Sequence, residues 1–449
     1  MGLNGNKTTP PGRDVANPAV ADYASAGPDA SGVTTQLIAT FATRVAIMAL
    51  GLASSMLTVR LLGPSGTGEY YVVVTFAAML VQFGNLGLPI SNTYLLAKDR
   101  GRLGGLLANS LWATVALGGA MALLAILAGK WSWLPSVSTR NIWLGAAIAV
   151  PSLWFMLGGN LLLGLGKVGK FNTFQFLNSA LLTAAVLAAW ALRLRLSGLL
   201  VALVAASLTV GGCLLAVLVR TPGGGLQPSG ELLRVGLRYA LKAYVACGLS
   251  FLLLQMQVLL LDRLTSPQEV GYYSVACRIR DVLMVLPAAA ATVLFPHLVR
   301  AETQRWRCMI RHLGAMAGIL AAGCLLAGLL ARPFIAAAFG RNFLPAAGIL
   351  WWMLPAAFFY ALTSLVSQYL GAIGIPRAVL AMWAAALGVG AAGGCALIPS
   401  YGGVGAAAAL SLSCTVAFLL QFSLAASKER LANRPSQAAG HDSSESAAR

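Results

Sequence analysis

The chain has 449 residues, of which 58% are hydrophobic and only 10% are charged. An ordinary soluble protein has about 25% charged residues, so this composition excludes a water-soluble enzyme and indicates a polytopic membrane protein. The net charge of +18 does not indicate nucleic-acid binding, because the basic residues lie between apolar segments and not on one polar face.

Segments of about 20 predominantly apolar residues predict twelve transmembrane helices. Their residues are 36–59, 70–97, 105–128, 141–163, 171–192, 197–219, 243–261, 270–299, 312–331, 345–370, 378–399 and 403–426. Only four charged residues fall within these segments, namely Arg44, Arg278, Arg280 and Asp281. The other charged residues lie in the connections, as expected for helices surrounded by lipid.

The distribution of Lys and Arg between the connections predicts the orientation of the chain. One side carries 20 of these residues and the other carries 8, and the three arginines within the spans account for the rest of the 31. The richer side includes both termini, so both termini are predicted to be cytoplasmic, in the cell inner membrane.

The spans and the segments between them divide the chain into five predicted regions. Residues 1–33 and 427–449 are predicted to be disordered cytoplasmic tails, residues 34–219 an N-lobe of six helices, and residues 243–426 a C-lobe of six helices. Residues 220–242 join the lobes and place Glu231, Arg234, Arg238 and Lys242 on one helical face. This pattern predicts a cytoplasmic amphipathic linker, which either lies in the membrane interface or is a solvated helix.

An internal repeat relates the two lobes. Arg60–Tyr70 and Arg263–Tyr273 match at five of eleven positions with a constant offset, and each joins the first two spans of its half. Six spans in each half give the two repeats the same direction through the membrane. The predicted fold is therefore all-α, with two six-helix lobes in a parallel repeat around a central cavity.

Three sequence motifs resemble those of a known protein family. They are Arg60–Tyr71 running into Phe83–Leu88, then Phe339–Phe343 with Pro345–Leu350, and Tyr401–Ala407. Over roughly residues 34–426 the chain resembles bacterial polysaccharide and oligosaccharide-lipid flippases of the multidrug/oligosaccharidyl-lipid/polysaccharide exporter superfamily. The resemblance implies alternating access and a polyprenyl-(di)phosphate-linked saccharide as substrate, carried to the outer leaflet for cell-surface polysaccharide biosynthesis.

The four charged residues within the spans are candidates for transport, because a charge in the bilayer is costly unless it is paired or faces a cavity. Arg44, Arg278 and Arg280 are predicted to form a cationic cavity for an anionic phosphate or an acidic sugar. Asp281 lies three residues after Arg278, so the helical spacing predicts an Arg278–Asp281 pair with Arg280 left as the free cation. Asp281 is also the candidate carboxylate for ion coupling. The alternatives are that these charges tie helices together, and that Arg44 snorkels to the surface.

Polar side chains recur at helical spacing in three spans and are predicted to line the cavity. They are Gln82, Asn85 and Asn92 in the second span, Asn172, Gln175 and Asn178 in the fifth, and Gln255 and Gln257 in the seventh. The alternative for each is a hydrogen bond between neighbouring helices.

No catalytic set, metal site or cofactor site is predicted, since the chain has three histidines and its seven cysteines are scattered without a metal-binding spacing. A drug or cation antiporter of the same superfamily is the second hypothesis, and it would favour an acidic cavity. A membrane-embedded glycosyltransferase or polymerase is the third, and it would need paired acids in a loop. The expected partners are the lipid-linked substrate, membrane lipids and other polysaccharide-assembly proteins, and no nucleic acid.

Overall fold

The computed structural model describes residues 30–288, 290–291, 294, 305–373 and 378–432. This part of the chain is almost entirely helical and contains no β-strand. Its helices are α1 (Ala30–Gly84), α2 (Leu88–Lys98), α3 (Leu103–Lys130), α4 (Thr139–Gly164), α5 (Val168–Ala191), α6 (Leu196–Val219), α7 (Gly230–Leu264), α8 (Pro267–Leu283), α9 (Arg305–Ala338), α10 (Ala346–Ala372) and α11 (Ala378–Ala432). Short 3₁₀ turns at Arg100–Arg102 and Arg341–Phe343 precede α3 and α10.

The predicted spans lie on these helices. Within the described residues, nine helices are long and apolar enough to cross a membrane. Two of them are bent: α11 contains the last two predicted spans and bends at Gly402. The helix α1 contains the first predicted span and bends at Gly63 before the first part of the second, which continues after a break into α2. The eighth predicted span begins in α8, and some residues of its second half lie outside the described part of the chain. The two predicted tails also lie largely outside it.

The bend in α1 has a local cause in the sequence. Gly63 has φ 67° and ψ −177°, a conformation that residues with a Cβ atom rarely adopt. Pro64 follows it and begins the next helical segment, where its missing N–H costs no hydrogen bond. The chain therefore bends between its first two predicted spans without an intervening loop.

The helices form two lobes. In the first, α1 packs against α4 and α5, and α4 packs against α3 and α6. In the second, α11 packs along α10 and α7, and α9 packs against α10. The α8 helix lies between the lobes, since it contacts α1 on one side and α10 on the other.

The linker helix differs from the separate element that its charge pattern predicts. A single helix, α7, covers both the second half of the linker and the seventh span, because no proline interrupts Gly230–Leu264. Ser229 caps its start by accepting a hydrogen bond from the backbone N–H of Leu232 at 3.4 Å. The linker and the seventh span are therefore parts of one continuous helix.

Candidate functional site: a hydroxyl-lined cavity between the lobes

A cavity of about 500 Å³ lies between the lobes. Its walls come from α1, α4, α5 and α6 of the first lobe and from α7 and α8 of the second. Hydroxyl groups dominate its polar lining: Ser54, Ser55, Thr58, Thr67, Tyr70, Tyr71, Ser152, Ser179, Thr183, Ser207 and Ser274. A hydroxyl both donates and accepts hydrogen bonds, so this surface suits a ligand that carries many hydroxyls of its own.

The hydroxyls are held in place by the helices that carry them. Thr58 donates to the carbonyl oxygen of Ser54 at 2.9 Å, and Thr183 donates to that of Ser179 at 2.8 Å. Such bonds to the preceding turn use the hydroxyl proton and leave the oxygen lone pairs free to accept. The buried hydroxyl oxygen of Thr67 has no hydrogen-bond partner in the described part of the chain.

Arg278 supplies the charge of the cavity. Of the described residues that line the cavity, Arg278 alone is charged, and none is Asp or Glu. Its guanidinium carbon lies 5.9 Å from the centroid of the Tyr71 ring, which is within range of a cation–π contact. This contact orients the guanidinium without using its N–H donors, so these stay available to an anion.

Arg280 occupies a different environment. It is 6% exposed, and its Nη2 and Nε atoms lie 2.8 and 3.2 Å from Oδ1 of Asp281. The predicted Arg278–Asp281 pair is therefore wrong, because the long Arg280 side chain reaches the carboxylate of the next residue while Arg278 lies over Tyr71. Arg280 does not line the cavity, and its Nη1 atom has no partner among the described residues.

Arg44 does not join Arg278 in the cavity lining. Its side chain is exposed on α1 and does not line the cavity.

The predicted amide stripe of the second span divides at a break between α1 and α2. Gln82 lines the cavity. Asn85 instead stabilises the break, because its side chain donates to the carbonyl oxygen of Gln82 at 2.7 Å and accepts from the N–H of Gly87 at 2.8 Å. Asn92 lies beyond the break and donates to the Ser110 hydroxyl at 2.9 Å, which joins α2 to α3.

The amides of the fifth and seventh spans lie outside the cavity lining. Asn172 donates to the Thr40 hydroxyl at 2.8 Å and joins α5 to α1. Gln257 is fully buried and donates to the carbonyl oxygen of Gly390 at 2.9 Å, which joins α7 to α11. The remaining three, Gln175, Asn178 and Gln255, are partly buried.

The two copies of the internal repeat contact each other at one end of the cavity. A Cβ atom on Gly68 would lie 1.7 Å from the carbonyl oxygen of Pro267, and one on Gly271 would lie 2.1 Å from that of Pro64. The contact is reciprocal, since equivalent residues of the two copies exchange roles. We call these four residues the repeat clasp. Only glycine permits this approach of the two backbones.

Two further polar contacts join the lobes near the repeat clasp. Arg60 donates to the carbonyl oxygen of Ala337 at 3.2 Å, and Ser136 hydrogen-bonds to the Asp262 carboxylate. Together with the repeat clasp, these contacts hold the lobes together at this end of the cavity.

A second set of contacts fastens α7 to the first lobe near the break between α1 and α2. The Tyr244 hydroxyl donates to the carbonyl oxygen of Phe83 at 2.6 Å. The rings of Tyr94 and Tyr239 stack with their centroids 4.3 Å apart. The lobes therefore meet both at the repeat clasp and along the linker helix.

The described residues contain no group of three or more His, Cys, Asp or Glu side chains arranged to hold a metal ion. All seven cysteines are free thiols.

The fold of the chain is similar to that of several solved transporters. The chain is similar to an inward-facing multidrug resistance MATE family transporter of the MOP superfamily, with 15% identity over 87% of this chain and 96% of that chain and a TM-score of 0.73. It is also similar to the lipid II flippase MurJ in an inward closed conformation, with 14% identity over 87% of each chain and a TM-score of 0.70. An outward-facing MATE transporter of that superfamily matches 88% of this chain and 95% of that chain, with 14% identity and a TM-score of 0.62.

The sequence comparisons identify a family. No curated protein matches the sequence at a significant level. The family model described as polysaccharide biosynthesis protein matches residues 33–302, which is more than half of the chain. The match includes the first lobe, the linker and Arg278 in the cavity. The chain thus belongs to the polysaccharide biosynthesis protein family and has the two-lobe fold of MOP superfamily transporters.

Proposed function

We propose that this protein is an alternating-access flippase that moves a polyprenyl-(di)phosphate-linked saccharide across the bacterial inner membrane. The observation that carries the proposal is the cavity between the lobes, with its many hydroxyls and a single arginine. The hydroxyls suit the saccharide, and the fork-shaped donors of Arg278 suit the phosphate. The family match supports a role in cell-surface polysaccharide biosynthesis, together with other assembly proteins.

Alternating access would use the contacts at the two ends of the cavity. On this proposal both termini are cytoplasmic, which places the repeat clasp on the outer side and the linker helix on the cytoplasmic side. The substrate head group enters from the cytoplasm while the repeat clasp is closed, and it leaves after the clasp has opened. The polyprenyl chain stays in the bilayer throughout, where its apolar surface remains out of water.

A drug or cation antiporter of the same superfamily is the weaker alternative. A carboxylate is the usual counter-charge for a cation in a buried cavity, and the described lining residues of this cavity include Arg278 but no carboxylate. A glycosyltransferase or polymerase is weaker still, since those lining residues offer no paired acids for catalysis. We therefore place the protein among transporters and not among enzymes.

The test is complementation of a strain that lacks this gene, with cell-surface polysaccharide as the readout. Loss of a charged hydrogen bond to phosphate costs about 1.5–3 kcal/mol, so Arg278→Ala should lower export about tenfold or more. Arg278→Lys keeps the charge without the fork and should export at an intermediate level.

The matched control is Arg140→Ala, which removes an exposed arginine that does not line the cavity. It should export normally at the same membrane level of protein. Normal export by Arg278→Ala would contradict the assignment of Arg278 to the substrate.

A further inference from the structure

A second cavity of about 470 Å³ lies on the other side of α1 from the hydroxyl-lined cavity. Val74, Ala78 and Val81 of α1 face the hydroxyl-lined cavity, whereas Phe76 and Leu80 face the second one. We call the second cavity the apolar groove. It is completed by α3, by the connection after α3 and by α7, so both lobes contribute to it.

The apolar groove is open to the surface of the helix bundle. Its lining includes Phe83, Leu124 and Trp133, which are 42%, 40% and 42% exposed. Aliphatic and aromatic side chains make up nearly all of the lining. In a membrane, a groove with this surface is in contact with lipid chains.

One end of the apolar groove carries a charge. Arg263, in the last turn of α7, is the only charged residue among the described residues that line the groove. Its side chain is exposed and forms no salt bridge in the described part of the chain. The neighbouring carboxylate, Asp262, is 2% exposed and is hydrogen-bonded to Ser136.

Two tryptophans indicate how deep in the membrane the Arg263 end of the apolar groove lies. Trp133 lines the groove, and its ring lies 5.7 Å from that of Trp131. Tryptophan rings are enriched at the level of the lipid head groups. The two tryptophans therefore favour a position of Arg263 at the depth of the lipid phosphates.

From this charge and depth we propose that the apolar groove binds one anionic phospholipid of the bilayer. Its phosphate pairs with Arg263 and an acyl chain fills the groove between α1, α3 and α7. Bulk phospholipid is the occupant because the groove opens directly to the bilayer, where phospholipid is the abundant anionic lipid. The site is independent of the transported substrate, and because both lobes line it, the bound lipid contacts both.

The test uses phospholipids with a photoactivatable acyl chain and mapping of the labelled peptides. Phosphatidylglycerol and phosphatidylcholine with identical chains are each added to the purified full-length protein. Phosphatidylglycerol should label the segments of α1 and α3 that line the groove. A basic side chain at the head-group level changes binding of an anionic lipid about fivefold, so Arg263→Gln should lower this labelling about fivefold.

Three variants complete the design. Ala120→Trp and Leu124→Trp each fill the groove from an exposed position and should abolish the labelling there. Arg195→Gln removes an exposed arginine outside the groove and should leave the labelling unchanged.

Two results would overturn the proposal. Equal labelling by both phospholipids, unchanged in Arg263→Gln, would show an unselective lipid-facing surface. Displacement of phosphatidylglycerol by an equimolar amount of polyprenyl phosphate would assign the groove to that lipid instead.

Discussion

The repeat clasp gives the sharpest prediction about conformational change. An added Cβ atom at Gly271 would lie 2.1 Å from the carbonyl oxygen of Pro64. The usual distance between a carbon atom and a carbonyl oxygen in such backbone contacts is about 3.3–3.6 Å, so Gly271→Ala must separate the two backbones by about 1.3 Å. Overpacking of this kind costs about 1–3 kcal/mol in the closed arrangement. The same energy corresponds to a shift of about 5–150-fold toward the arrangement in which the lobes have parted.

The shift can be measured by the labelling of a single cysteine. Thr67 lies beside the clasp and is 3% exposed, so Thr67→Cys in a background without native cysteines should react slowly with an impermeant maleimide. Gly271→Ala should raise the labelling rate, and so should Gly68→Ala, whose Cβ atom would lie 1.7 Å from the Pro267 carbonyl oxygen. Gly119→Ala is the control, because nothing lies within 4 Å of its Cβ position. Equal labelling rates in all variants would refute the idea that the clasp holds the lobes together.

Three other predictions concern stability and topology. Asp281→Asn leaves the buried Arg280 without its charged partner and should lower the free energy of unfolding by about 1.5–3 kcal/mol. We expect the low end of this range, because the Asp281 carboxylate is half exposed. Asp281→Glu should retain most of that stability, and equal thermal unfolding of all three proteins would contradict the pairing. Gln257→Leu removes the hydrogen bond between α7 and α11 and should cost about 0.6–1.7 kcal/mol; an unchanged melting temperature would show that this bond contributes nothing. Reporter fusions should place the connection between α3 and α4 outside and that between α6 and α7 inside, and the reverse result would contradict the predicted orientation.

The helices and the repeat could be predicted from the sequence because their signals are local. Long apolar segments define spans without reference to any other part of the chain. The repeat copies share Pro64 and Pro267, and Gly68 and Gly271. In the structure, the glycine of each copy lies against the proline carbonyl of the other copy. The sequence match indicated equivalent positions, but their mutual contact depends on how the lobes dock.

The pairing of the buried charges could not be predicted from helical spacing. The rule for residues three apart concerns the distance between Cβ atoms and ignores the reach of a long side chain. Arg280 folds back to the adjacent Asp281, while Tyr71 of the other lobe receives the guanidinium of Arg278. The partner of Arg278 lies more than two hundred positions away in the chain, so spacing within one helix carries no information about it.

The backbone explains why the amides of the second span do not share the single helical face that their spacing predicts. Helical spacing from Gln82 to Asn92 assumes an unbroken helix, but Leu86 and Gly87 have φ values of 49° and 75°. The break changes the direction in which Asn92 points. The Asn85–Gly87 segment, Asn-Leu-Gly, is a recognisable turn signal and could have been used to stop the extrapolation.

The Ser and Thr side chains that line the cavity could hardly be recognised as cavity residues from the sequence. Ser54 and Thr58, and likewise Ser179 and Thr183, lie four residues apart in apolar helices. Such residues usually hydrogen-bond to their own helix, as these do, and so they resemble inert positions. Only the packing of α1 against α5 shows that they face a shared cavity.

The proposed flippase activity can be measured with the purified protein in liposomes. The measurement is the rate at which a fluorescent polyprenyl-diphosphate-linked saccharide crosses the bilayer of liposomes, followed with a membrane-impermeant quencher. We expect transport by the unaltered protein, a rate at least about tenfold lower for Arg278→Ala, and an unchanged rate for Arg140→Ala. Absence of transport by the unaltered protein would contradict the proposed flippase function, and equal rates for it and for Arg278→Ala would contradict the role of Arg278.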